Sequence, residues 1–131
     1  MKITMDRKKI KAFVQNTLGC GCPEEVFQHI ECESGIDYHG IKLLYKINIG
    51  SRLLVYVLPV KTSDSLKKLL PRIVDIGKGE RDGAGFNRFR LVLASDNGEA
   101  MRQIAEDLFE SIQKDENIFL HVLPKSSIPD F

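Results

Sequence analysis

Leu43-Leu44-Tyr45-Lys46-Ile47-Asn48-Ile49-Gly50-Ser51-Arg52-Leu53-Leu54-Val55-Tyr56-Val57-Leu58 carries the clearest strand pattern in the chain. Leu43, Tyr45, Ile47 and Ile49 alternate with Leu44, Lys46 and Asn48, the period of two that turns one side of a strand to a core. Gly50-Ser51 then fits a two-residue turn with glycine first, so a β-hairpin is expected. Its second arm, Arg52 to Leu58, is apolar on both faces, as an interior strand covered from both sides requires.

Downstream the period changes from two to that of a helix. Leu66, Leu69, Leu70, Ile73 and Val74 share one helical stripe, with Thr62 or Ser63 as its cap and Gly77 as its stop. Pro71 is expected to kink or divide that helix. Phe89 to Ala94 reads as another strand. Asp96 and Glu99 resemble a capping box for a helix carrying Met101, Ile104, Ala105, Leu108 and Ile112, and Ile118 to Leu123 closes the pattern as a strand. This succession makes two βαβ units, with right-handed crossovers and parallel strands.

Upstream, Ile10, Phe13, Val14, Thr17 and Leu18 mark an amphipathic helix stopping at Gly19. Pro23 suits the first turn of a second, short helix with Val26, Phe27 and Ile30 on its buried side. Ile30 to Ser34 fits either a continuation of that helix or a strand, and His39-Gly40 marks a turn. The expectation is one α/β domain over residues 1–131, with α+β as the alternative. N-terminal helices occupy 1–31, and a mixed sheet of about four to five strands with crossover helices occupies 43–123.

Nineteen lysines and arginines against 18 acids leave a formal net charge of +1, too little overall field to concentrate a polyanion, so nucleic acid is not an expected partner. Three cysteines are too few and too odd a number for a secreted disulfide framework, and Met1 to Arg7 lacks the apolar run of a signal peptide. A reducing, cytoplasmic setting is expected. The longest nearly apolar run, Leu53 to Val60, falls short of the roughly 20 residues that span a bilayer, so no membrane partner is expected.

Chemistry concentrates at Gly19-Cys20-Gly21-Cys22-Pro23-Glu24-Glu25. With Cys22 capping the following helix, its sulfur faces unpaired N–H groups that favour thiolate, while Glu24 and Glu25 oppose the effect. With His29 and Cys32 the pattern becomes Cys-x-Cys-x6-His-x2-Cys, a donor set for tetrahedral zinc or part of an iron–sulfur cluster. The one-residue gap is shorter than the usual zinc spacing of about two to four. His29 and Cys32 meet one ion only if a helix runs through both. In the alternative, the glycines make a tight turn and the cysteines are packing.

Gly77 to Gly85 reads as a long glycine-rich connection, followed by Phe86-Asn87-Arg88-Phe89-Arg90. Lys78, Arg81, Arg88 and Arg90 are candidates to grip a phosphate or carboxylate, with ion pairs to Asp75, Glu80 or Asp82 as the structural alternative. The glycines fit neither a Walker loop nor a dinucleotide fingerprint. No nucleophile elbow or helical His-Glu-x-x-His is present, and His39 and His121 read as structural, so no reaction is assigned. Three functions follow. The first is a metal-binding (zinc or iron–sulfur) or thiol-redox accessory protein using Cys20, Cys22, Cys32 and His29. The second is an interaction or assembly module, a homodimer included, with structural cysteines. The third is an anion or nucleotide binder through residues 77–90.

Overall fold

The hairpin stretch forms the middle of a five-stranded mixed sheet in the order β1-β2-β3-β4-β5. β1 (Ile30–Tyr38), β2 (Ile41–Ile49) and β3 (Leu53–Pro59) are an antiparallel meander, and β4 (Arg88–Ala94) and β5 (Ile118–Leu123) extend β3 in parallel. This arrangement is a computed structural model that describes residues 7–19, 24–96, 98–112 and 117–128. The expected α/β fold with its two βαβ units is what forms. No helix among the described residues is long and apolar enough to cross a membrane.

Two helices, α2 (Ser63–Ala84) and α3 (Gly98–Ser111), make the crossovers. Both helices lie on one face, where Leu66, Leu70, Ile73, Val74, Met101 and Ala105 pack on Leu54, Tyr56, Leu58, Phe89, Leu91 and Leu93. The other face is covered from the N-terminus. There α1 (Arg7–Ala12), a π-helical turn (Phe13–Thr17) and a 3-10 turn (Glu24–Gln28) contribute Ile10, Phe13, Val14, Leu18 and Phe27 against Ile47, Ile49, Leu53, Val55, Val57 and Val92. The expected helical pair is thus shorter and less regular than its periodicity suggests. Cys20 to Pro23, with the helix start expected there, lie outside the described residues.

Ile30 to Ser34 resolves as strand. Ile30 and Cys32 are buried and Glu31 is exposed, a period of two. Within β1, Gly35 takes φ +58°, and there the hairpin changes layers: Ile30 and Cys32 belong to the N-terminal core, Ile36, Ile41 and Leu43 to the core under α2. His39 and Gly40 both have positive φ, and so do Gly50 and Ser51. Ile49 pairs with Leu53, so the second turn is a three-residue connection, Gly50 to Arg52, not the expected two-residue one, and it asks left-handed geometry of a serine as well as a glycine. Asn48 supports it by accepting the Ser51 N–H at 2.8 Å.

The first βα segment, β3 to α2, departs most from expectation. Thr62 caps α2 as predicted, its Oγ1 accepting the Ser65 N–H at 3.1 Å, but the helix passes Pro71 and Gly77 and runs 22 residues to Ala84. Proline removes one N–H, whereas buried residues on both sides of it, Leu66 and Leu70, then Ile73, Val74, Gly77 and Arg81, hold the two halves to one sheet. Gly77 is a contact, not a stop. A Cβ there would lie 2.2 Å from the fully buried Phe89 ring. The helix ends at Gly85, with φ 79° and its N–H bonded to the Arg81 carbonyl.

Gly77→Ala should therefore destabilise the protein by about 1–3 kcal/mol through overpacking against Phe89. Gly79→Ala and Gly83→Ala, where a Cβ meets nothing within 4 Å, should be neutral or stabilise by up to about 1 kcal/mol. Urea unfolding of the three variants checks both signs.

Candidate functional site

Cys20 and Cys22 lie outside the described residues. Cys32 sits on β1, fully buried among the apolar side chains of the N-terminal core, and burial, aided by Glu33, pushes its thiol up to about 11. His29 precedes the strand, exposed, with Nε2 hydrogen-bonded to Glu31 Oε1 at 3.0 Å. Because β1 opens at Ile30, the helical turn that would stack His29 over Cys32 is not formed. Among the described residues, no three His, Cys, Asp or Glu side chains are grouped to hold a metal ion.

The four basic candidates are divided by the sheet. The expected loop is helix, so Lys78 and Arg81 lie on α2 on one side of the sheet. Arg81 is buried, and its Nε and Nη2 donate to Asp82 Oδ1 at 3.0 and 2.9 Å, the ion pair foreseen as the structural alternative. Arg88 and Arg90 lie on β4. Strand parity sends Phe89, Leu91 and Leu93 toward α2 and α3, and Arg90 and Val92 toward the N-terminal layer. Arg88 is exposed; Arg90 is not.

Arg90 keeps only 6 % of its surface exposed. Nη1 donates to the Leu18 carbonyl at 2.9 Å and to His121 Nε2 at 3.0 Å. The guanidinium carbon lies 4.5 Å from the centroid of the Phe119 ring, Arg90's neighbour in the β4–β5 register. No carboxylate among the described residues pairs with it, and its Nε is buried without an acceptor. Since a guanidinium has no acceptor to offer, His121 takes that bond at a neutral Nε2, which assigns its proton to Nδ1. Burial and the Arg90 charge push the His121 pKa down to about 4. Burial, then Arg88, likewise lowers that of Arg90, though guanidinium stays charged at any ordinary pH. The result is a positive charge under the surface held by two neutral partners and one aromatic face.

On the opposite face the structure assembles a polar cluster that periodicity did not reveal. The Tyr56 hydroxyl, buried under α2, donates to Glu80 Oε1, and Lys46 Nζ pairs with Glu80 Oε2 at 2.6 Å while standing 4.5 Å over the Tyr38 ring. Burial, then Glu80, raises the Tyr56 pKa; burial works to lower that of Lys46, but the Glu80 bond and charge outweigh it and hold it up. Every charge in this cluster is matched. The sequence signal was a phenol in the middle of a strand buried on both faces, which demands a hydrogen-bond partner from elsewhere in the chain.

A comparison with known protein families finds no match to this chain, and a comparison with curated proteins finds none either.

Between the folded His121 pKa of about 4 and its ordinary 6.5, the unfolded chain binds more protons than the folded one. Stability should therefore rise with pH across that window and be fully present above it. Urea midpoints from pH 4 to 7 should show this slope in the wild type and a reduced one in His121→Gln.

Proposed function

We propose that this chain binds a small oxyanion, a carboxylate or phosphate group, at Arg90. The observation that supports this reading is a buried guanidinium that has, among the described residues, no carboxylate beside it and no acceptor at Nε. A buried cation without a counter-charge costs several kcal/mol, and an oxyanion accepting charge-assisted bonds from the guanidinium removes much of that cost. Arg88, two residues away and exposed, adds attraction from outside. Lys78 and Arg81, on the other side of the sheet, have no part in this site. Phosphate, sulfate and acetate, each against sodium chloride of equal ionic strength, should raise the thermal midpoint saturably for at least one oxyanion. Arg90→Lys, which keeps the charge but loses the fork, should weaken that rise at least tenfold in half-saturating concentration. No oxyanion-specific rise in the wild type would defeat the proposal.

A thiol or metal role through Cys20 and Cys22, in a reducing cytoplasmic setting, is the second reading. It rests on the sequence pair Cys20-Gly21-Cys22, which follows Leu18, whose carbonyl Arg90 holds, by two residues. Cys32, buried with its thiol raised to about 11, is an unsuitable thiolate donor beside them. In the native protein two of three thiols should therefore react with a thiol reagent near neutral pH, the third only after unfolding. Elemental analysis of anaerobically purified protein, beside a Cys20→Ser/Cys22→Ser double variant, tests for zinc or iron. Metal that vanishes in the variant supports the role, and unchanged metal content and thiol reactivity defeat it.

A further inference from the structure

The two edges of the sheet are chemically unlike. β1, at one edge, carries Glu31, Glu33 and Asp37. Charged side chains are a recognised way of keeping an edge from pairing with another chain. β5, at the other edge, reads Ile118-Phe119-Leu120-His121-Val122-Leu123, with no charged residue, no proline and no glycine. Phe119, Leu120, His121 and Leu123 are only half-buried.

The β4–β5 ladder says which backbone groups look outward. The Asn117 and Leu123 carbonyls accept from Phe89 and Ser95 at 3.0 and 2.9 Å, so odd-numbered residues face β4 and even-numbered ones face away. Of the outward groups on Ile118, Leu120 and Val122, the Val122 carbonyl accepts from Arg102 Nη2 at 3.2 Å. No other outward group has a partner among the described residues.

We infer that this protein pairs with a second copy of itself through the outer edge of β5, independently of what Arg90 binds. The pairing is antiparallel, about a two-fold axis at Leu120, and joins two sheets into one. The strand is self-complementary in this register. Leu120 faces its own copy as a hydrogen-bonded pair, Ile118 faces Val122 of the partner subunit, and Phe119 faces His121 of the partner subunit as an aromatic cross-strand pair. No like charges meet. The same operation on β1 would set its acids against one another, so symmetry favours β5. Only three residues per strand contribute backbone bonds, so the dimer is a reversible one whose population depends on concentration.

Amide hydrogen exchange and sedimentation, each over a hundredfold range of concentration, test this. Protection of the Ile118, Leu120 and Val122 amides should rise with concentration in step with dimer, while Phe119, His121 and Leu123 stay protected throughout. Leu120→Pro, which deletes the outward N–H, and Leu120→Lys, which sets two cations on the axis, should each shift the population to monomer, with circular dichroism reporting that the fold is retained. Three results would overturn the inference: a monomer at every concentration, a dimer that survives both variants, or outward amides protected in the monomer, which would mean that another part of the chain covers the edge.

Discussion

β3 is the element on which the rest depends, because its side chains are buried on both faces along almost its whole length. A strand with six apolar or aromatic residues in a row, Leu53 to Leu58, cannot fold beside water, and burying each such side chain contributes about 1.5–3 kcal/mol. It therefore requires a layer on each side. α2 and α3 supply one and the N-terminal segment the other. The neighbours follow from the same requirement. β2 pairs with β3 antiparallel through a tight turn, and β4 can pair with it parallel only because a helix long enough to cross the sheet lies between them.

Two of the polar clusters in these layers differ in kind. Tyr56, Glu80 and Lys46 close their charges and hydrogen bonds on one another, which makes that cluster a structural device joining α2 to the hairpin. Among the described residues Arg90 and His121 do not close theirs: the arginine keeps its charge and an unpaired Nε, and its neighbour is driven neutral. In a low-dielectric layer an uncompensated charge is the costlier arrangement, and so it marks a place for function more than one for stability.

The fold was legible in local pattern wherever one element's periodicity was sufficient. The hairpin arms, the doubly buried strand, the existence of both crossover helices and the last strand read correctly from the spacing of apolar residues, but the length of α2 did not. Where two local rules conflicted, the long-range contact decided. Gly77 carries the chemistry of a helix stop, and Pro71 that of a break, yet the buried residues beyond them keep α2 helical to Ala84. Ile30 to Ser34 suited helix or strand alike until β2 offered it a ladder. The supposed glycine loop then vanished, and with it the convergence of Lys78, Arg81, Arg88 and Arg90.

Sequence pattern alone was enough for the apolar stripe of each crossover helix, the doubly buried central strand and the parallel direction of the strands after the hairpin. These depend on hydrophobic spacing and chain connectivity, which are local properties. The tertiary structure was needed for which face of the sheet each arginine occupies, that Cys32 is buried while His29 faces water, and that Arg90 has no counter-charge among the described residues. Those are facts of partnership between residues as far apart as Leu18, Arg90 and His121, and no local pattern carries the distance between them.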